Sequence, residues 1–128
     1  MQHPVEQWHH ILEHRDAAGL DAWLHDDVVF YSPVVHRPQE GKFLTTLYLS
    51  AALQVFVNDS FRYVRQVVGD RDAVLEFMVE IDGISVNGVD MISWDENGQV
   101  ISFKVMVRPL KAMQLIHQKM AEMLSQLG

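Results

Sequence analysis

Four strand-like runs follow one another between residues 61 and 107, and short polar turns separate them. The runs cover residues 61–68, 73–81, 84–94 and 100–107, and each is rich in β-branched or aromatic side chains. The connections contain Asp, Asn and Gly, which tolerate the positive φ angles of tight hairpins. Because turns this short join antiparallel neighbours, this half of the chain is predicted to be an antiparallel meander.

The rest of the chain is predicted to be helical apart from one further strand. Apolar residues at helical spacing, or around most of a helix circumference, indicate the helices. The predicted helices are 4–18, a single turn at 20–24, 43–56 and a last helix that starts at Pro109. Residues 28–32 predict a strand that Pro33 ends. We therefore predict an α+β fold, in which helices pack on the concave face of one curved antiparallel sheet.

Length and composition favour one soluble domain over residues 1–128. The chain is 48% hydrophobic and 21% charged, within the globular range, and no linker or repeat divides it. A formal charge of −7 opposes binding to a phosphate backbone, so we predict no nucleic-acid partner. The sequence starts without a basic segment followed by an apolar stretch, and it lacks cysteine. We therefore predict a cytoplasmic protein without membrane association.

Asp90 is a carboxyl group on the apolar face of a predicted strand. The other members of that face in run 84–94 are Ile84, Val86, Ile92 and Trp94. A carboxyl surrounded by apolar side chains retains its proton to higher pH and can then donate it near neutrality. The alternative is a structural carboxylate, bound by backbone amides or by an arginine such as Arg65, whose pKa would be lowered.

Residues near the end of the first strand are further candidates for a site. Ser32 shares a strand face with Phe30, and His36 follows this strand, where it could act as a general base or be a solvated loop histidine. Aromatic rings predicted for the concave side are candidates for ligand contact, although such rings most often serve core packing. These rings belong to Trp8, Phe30, Phe77 and Phe103.

His10 and His14 form part of an H-x-x-E-H string of the kind found in some zinc proteases. Both lie on the polar face of the first predicted helix, and no third ligand is apparent. We interpret them as surface histidines and predict no metal. Glycine-rich phosphate cradles and nucleophile elbows do not occur in the sequence either, so no cofactor is predicted.

Two stretches of the chain resemble the nuclear transport factor 2-like superfamily, which includes ketosteroid isomerases and SnoaL-like polyketide cyclases. They are residues 24–33, which enter the first strand, and residues 88–101, where an acid, an aromatic residue and a D-x-x-G turn occur in order. The resemblance covers nearly the whole chain and implies a cone-shaped roll. It also implies that Asp90 corresponds to the protonated acid of the isomerases' oxyanion hole.

Two other positions depart from the isomerase pattern. Those enzymes have a catalytic Asp immediately before Pro in the first strand, where this chain has Ser32 before Pro33, and a neutral serine cannot replace that base. They also have a hydroxyl-donating Tyr on the first helix, where the nearest residues here are Ile11 and Leu12. We predict a pocket for a small hydrophobic molecule, with Asp90 as acidic donor in proton transfer on a carbonyl substrate. The alternative is a non-catalytic ligand-binding or dimerisation module.

A homodimer is predicted through the opposite face of the sheet. Strand alternation places Met78, Val89, Met91 and Met106 there, among charged side chains. A monomer would leave these side chains as an exposed apolar patch. The family resemblance also implies a dimer.

Overall fold

The computed structural model describes residues 3–127, within which four helices and six strands are found. The helices are α1 (Pro4–His14), α2 (Leu20–Trp23), α3 (Lys42–Phe56) and α4 (Leu110–Leu127). The strands are β1 (Leu24–Tyr31), β2 (Gln39–Glu40), β3 (Arg62–Val68), β4 (Asp72–Ile81), β5 (Ile84–Trp94) and β6 (Val100–Arg108). A 3-10 turn, Ala17–Gly19, joins α1 to α2. The predicted α+β class is confirmed.

The six strands form one curved, unclosed sheet in the order β2-β1-β6-β5-β4-β3. Strands β3 to β6 are the predicted antiparallel meander. Strand β1, however, pairs with β6 in parallel, through Phe30 opposite Phe103 and Tyr31 opposite Lys104, so the sheet is mixed. Since α3 and the meander separate β1 from β6 along the chain, no tight turn determines their relative direction. The two-residue strand β2 was not predicted, because it is short and polar.

Helix α1 ends earlier than its apolar spacing predicts. Arg15 adopts the left-handed conformation (φ 49°), and its N–H binds the carbonyl oxygens of Ile11 and Leu12, which closes the helix. The Asp16 side chain then accepts a hydrogen bond from Gly19 N, which begins the 3-10 turn. These contacts determine how α1 lies over the sheet and therefore where its buried tryptophan, Trp8, is held.

The core lies between the concave face of the sheet and the helices. Alternate residues of β4 and β5 are buried, as strand parity predicts. Six residues of the concave face are 7% exposed or less: Phe30, Leu75, Phe77, Ile92, Phe103 and Val105. Among the described residues only two buried side chains are polar, Thr45 on α3 and Asp90 on β5. Asp90 is the one of these two that can ionise.

Gly88 allows an aromatic ring to lie against the backbone of β5. It is paired with Phe77 across the β4–β5 ladder. A Cβ at position 88 would collide with the Phe77 ring and would approach the carbonyl oxygen of Met106 to 2.9 Å. A side chain there would displace the Phe77 ring, so the glycine determines where this ring lies beside Asp90.

Candidate functional site

A small cavity lies between the concave face of the sheet and helices α1 and α3. Its volume is about 40 Å³. Its walls are Trp8 and Leu12 of α1, Leu49, Ala52, Leu53 and Phe56 of α3, the neighbouring Val57 and Phe61, and Phe77, Asp90, Phe103 and Val105 of the sheet. A cavity needs roughly 150 Å³ to hold a benzene ring, so this one accommodates only about two heavy atoms as it stands. Asp90 is its sole ionisable lining residue in the described part of the chain.

Asp90 is held by a chain of hydrogen bonds that crosses three elements of the fold. Trp8 Nε1, from α1, donates to Tyr63 Oη at 2.8 Å. Tyr63 Oη, from β3, donates in turn to Asp90 Oδ2 at 2.5 Å. None of the hydrogen bonds formed within residues 3–127 involves the other carboxyl oxygen, Oδ1. One oxygen of Asp90 is therefore fixed by the protein, and the other is free to bind a ligand.

Burial controls the ionisation of Asp90 and Tyr63, the two ionisable members of this series of hydrogen bonds. Desolvation raises the pKa of Asp90 to about 7, although the hydrogen bond from Tyr63 favours the carboxylate and acts in the opposite direction. Burial and the neighbouring charge of Asp90 raise the pKa of Tyr63 well above its usual value, so its hydroxyl keeps its proton. Near neutral pH both forms of Asp90 are therefore populated, and the protonated form can donate a hydrogen bond into the cavity.

Arg65 is not a partner of Asp90. The arginine side chain is exposed on β3, and its Nε lies 3.7 Å from Oε1 of Glu76. The structural alternative, in which an arginine lowers the pKa of Asp90, is therefore wrong for Arg65. The carboxyl group has a hydroxyl partner and no cationic one in the described structure.

Tyr63 is a site residue that the sequence reasoning missed. The resemblance places a hydroxyl donor on the first helix, whereas here it is supplied by the edge strand β3. All other residues of β3 are exposed, so no apolar alternation marks an inward face. Hairpin register would have given no signal either, because a bulge between Tyr63 and Arg65 shifts the pairing and puts Tyr63 opposite Phe77, on the concave face.

Trp8 is held in place by other aromatic rings as well as by its hydrogen bond. Its ring stacks on Trp23 at a centroid distance of 4.9 Å and meets the edge of Phe103 at 5.0 Å. Trp23 is itself fixed, because its Nε1 donates to the Pro4 carbonyl oxygen at 3.0 Å. The donor that orients Tyr63 is therefore rigid.

The structure brings together four of the seven residues singled out from the sequence. Trp8, Phe77, Asp90 and Phe103 line the cavity. Phe30 is buried behind Phe103, with ring centroids 6.0 Å apart, and does not line it.

Ser32 and His36 lie elsewhere, in a separate groove at the end of β1 that Lys104 and Met113 also line. Ser32 Oγ accepts a hydrogen bond from Val34 N at 3.2 Å, and His36 is exposed. The structure does not bring either residue to Asp90.

Residues 3–127 contain no group of three His, Asp or Glu side chains placed to hold a metal ion. The rings of His10 and His14 lie 4.2 Å apart on the outside of α1. None of the described helices is both long enough and apolar enough to span a membrane.

The fold is that of the nuclear transport factor 2-like superfamily. A family model described as the SnoaL-like domain matches residues 5–103. The chain belongs to this SnoaL-like family. No curated protein sequence matches it.

Solved structures support the same assignment. A steroid delta-isomerase from Pseudomonas aeruginosa is 36% identical to this chain and superposes with a TM-score of 0.91. The match covers 97% of this chain and 90% of the isomerase chain. An uncharacterised bacterial protein with a cystatin-like fold, from Silicibacter pomeroyi, is 27% identical over 93% of this chain and 83% of its own, with a TM-score of 0.85. A protein from Shewanella denitrificans described as a SnoaL-like polyketide cyclase is 14% identical over 96% and 95%, with a TM-score of 0.64, so that likeness concerns the fold alone.

Proposed function

We propose that this protein binds a small carbonyl compound in the cavity and that protonated Asp90 donates a hydrogen bond to the carbonyl oxygen. The observation that carries the proposal is the environment of Asp90, an apolar cavity in which Tyr63 holds one carboxyl oxygen and leaves the other free. A neutral carboxyl in such surroundings is a preorganised donor for an oxygen that gains negative charge. The 36% identity to a protein named as a steroid delta-isomerase supports this chemistry.

The reaction that fits this donor is proton transfer next to the carbonyl group. A base removes a proton from the neighbouring carbon, the C–H electron pair becomes the C=C bond of an enolate, and the C=O π pair moves onto the oxygen. Asp90 stabilises the negative oxygen that results. Return of the proton to the same carbon gives α-proton exchange. In a ketone whose enolate is conjugated with a further C=C bond, return of the proton to the far carbon of that bond yields an isomer. Asp90 ends as it began in either case. The base would be water, because His36, our candidate from the sequence, lines a different groove.

Non-catalytic binding of the same ligand is the second candidate. It is favoured by one observation, that the described cavity lining contains no ionisable group besides Asp90. A site with a donor and no protein base can hold a carbonyl compound without converting it.

Asp90→Asn separates these candidates when it is tested with 2-butanone, a small ketone whose carbonyl group is of a size to enter the cavity. Since an amide is a weaker donor and no acid, we expect weaker binding and at least about tenfold slower exchange of the α-protons in D₂O, measured by NMR. Asp70→Asn, at an exposed aspartate, is the control and should behave as the wild type. Binding without exchange in the wild type would favour the non-catalytic candidate. If the affinity for 2-butanone and the exchange rate are both the same in Asp90→Asn as in the wild type, the proposal is contradicted.

We also propose a homodimer formed through the outer face of the sheet. Val67, Val74 and Met91 lie side by side across three strands of that face and are 60%, 38% and 37% exposed. Met106 is 49% exposed on β6, next to Val89. Burying such a row between two copies removes apolar surface from water on both.

Light scattering at micromolar concentration should therefore give twice the chain mass of 14.7 kDa. Met91→Glu should return the mass to that of one chain, because it places a charge within the row. Phe43→Glu, at an exposed apolar residue of α3, is the matched control and should leave the dimer intact. A wild-type mass of one chain would contradict the dimer.

A further inference from the structure

A larger hollow lies directly outside the cavity. It has a volume of about 440 Å³ and is open to solvent. Helix α1, the loop 57–61 and the start of β3 form it. We call it the outer groove. The side chains of Leu12, Val57 and Phe61 line both hollows, so these three residues are the wall between them.

Phe61 has the largest side chain of the three wall residues, so its rotation would open the widest passage between the hollows. Leu12 is held within α1 and is 8% exposed, whereas Phe61 is partly exposed and follows a loop. The loop backbone is fixed independently, because Asn58 Nδ2 donates to the Glu80 carbonyl at 2.9 Å and Asn58 Oδ1 accepts from Ser60 N at 2.8 Å. Rotation of the Phe61 ring away from Phe77 would therefore join the two hollows without moving a strand.

The sizes of the two hollows indicate a ligand that occupies both. The cavity of about 40 Å³ holds little more than the two heavy atoms of a carbonyl group. Binding sites for small molecules usually measure roughly 300–1,000 Å³, a range that is reached only when the outer groove is included. Tyr63 links the two, since it lines the outer groove while its hydroxyl binds Asp90 inside.

The outer groove is polar and its charges balance. Arg15 and Arg62 are matched by Glu13 and Asp59, and none of the four has an ion-pair partner within 4.0 Å in the described structure. A charged ligand tail would be attracted by one pair and repelled by the other, whereas a hydroxyl group can accept from the arginines and donate to the acids.

We infer that the site has two chambers and takes an elongated, uncharged, amphipathic ketone. The inference rests on the proposed function for the carbonyl end of the ligand. It adds the place and the chemistry of the ligand tail. The carbonyl group enters the inner cavity past Phe61 and meets Asp90, and a hydroxylated tail lies in the outer groove.

Four methyl ketones test the ligand class: 2-butanone, and three with one longer alkyl chain that ends in a hydroxyl, a carboxylate or a trimethylammonium group. We expect the hydroxyl-tailed ketone to bind about tenfold tighter than 2-butanone in NMR titrations, and tighter than either charged analogue. Neutralising both acids with Glu13→Gln and Asp59→Asn should make the carboxylate-tailed ketone the tightest ligand. Equal affinities for 2-butanone and the hydroxyl-tailed ketone, or a charged tail that binds best to the wild type, would overturn the inference. Failure of the proposed function gives a different result from failure of this inference. In that case 2-butanone itself would not bind, or would bind Asp90→Asn as tightly as the wild type.

Phe61→Ala tests the wall. Loss of the ring should raise the association rate of the hydroxyl-tailed ketone about tenfold or more, since binding would no longer wait for the ring to rotate. Phe43→Ala, at a phenylalanine that is 82% exposed, should leave the rate unchanged. Phe61→Leu, which keeps an apolar side chain in the core, should give an intermediate rate and serves if the alanine variant does not fold. Unchanged rates in a folded Phe61 variant would overturn the role of this residue.

Discussion

Between pH 4 and pH 7 the protein is expected to lose roughly 3 kcal/mol of stability relative to its Asp90→Asn variant. Burial raises the pKa of Asp90 to about 7 in the folded state, whereas a free aspartate titrates near 3.9. Within this window the folded chain holds a proton that the unfolded chain has released, so unfolding becomes easier with each unit of pH. The contribution of protonated Asp90 is complete below about pH 4 and is lost as the pH rises through 7.

Urea unfolding of the wild type and of Asp90→Asn across this range measures the effect directly. Carboxyl groups common to both proteins cancel in the difference, which isolates Asp90. Asp70→Asn should show no such pH-dependent difference from the wild type, because Asp70 is exposed. The free energy of unfolding of the wild type relative to Asp90→Asn should fall as the pH rises. If this difference is independent of pH or increases with pH, Asp90 is a structural carboxylate.

Strand alternation predicted the central part of this site from the sequence. Residues 84–94 alternate so regularly that the face of Asp90 could be assigned without a structure, and the same argument placed Phe77 and Phe103 opposite the helices. Parity identifies a face and leaves open the distance between two residues on it. Strand parity therefore predicts a contact between residues on neighbouring strands better than a contact between residues on strands further apart.

Ser32 illustrates this limit. Tyr31 pairs with Lys104, so an extension of β1 by one residue would put Ser32 opposite Val105. Val105 is in turn the partner of Asp90 on the next strand. Two strand spacings, roughly 10 Å, still separate β1 from β5. The chain also leaves the sheet after Tyr31, which carries Ser32 into another groove.

Tyr63 was beyond sequence reasoning for a different reason. An edge strand whose other residues are exposed has no apolar face, so neither composition nor periodicity distinguishes its one inward hydroxyl. The direction of β1 is a similar case, because strands distant in sequence pair according to the packing of the whole core. Local patterns predicted the elements of this fold, and long-range contacts determined which side chains meet.

Tyr63→Phe is expected to cost roughly 2–6 kcal/mol at pH 8 and to raise the pKa of Asp90 further. The change removes the acceptor of the buried Trp8 Nε1 and the donor to Asp90 Oδ2, and each buried group left unpaired costs about 1–3 kcal/mol. The hydrogen bond from Tyr63 favours the ionised form of Asp90, so its loss should cost more at pH 8 than at pH 5.

Two measurements check this expectation. Carboxyl-labelled NMR should show Asp90 titrating at a higher pH in Tyr63→Phe than in the wild type, while Tyr31→Phe, on a tyrosine outside the hydrogen-bond chain, should leave the titration unchanged. A double-mutant cycle of Tyr63→Phe with Asp90→Asn at pH 8 isolates the coupling between the two side chains. If the pKa of Asp90 falls or stays constant, the hydroxyl does not hold the carboxylate, and the free oxygen of Asp90 would have to be oriented by packing against Trp8 and Phe103 alone.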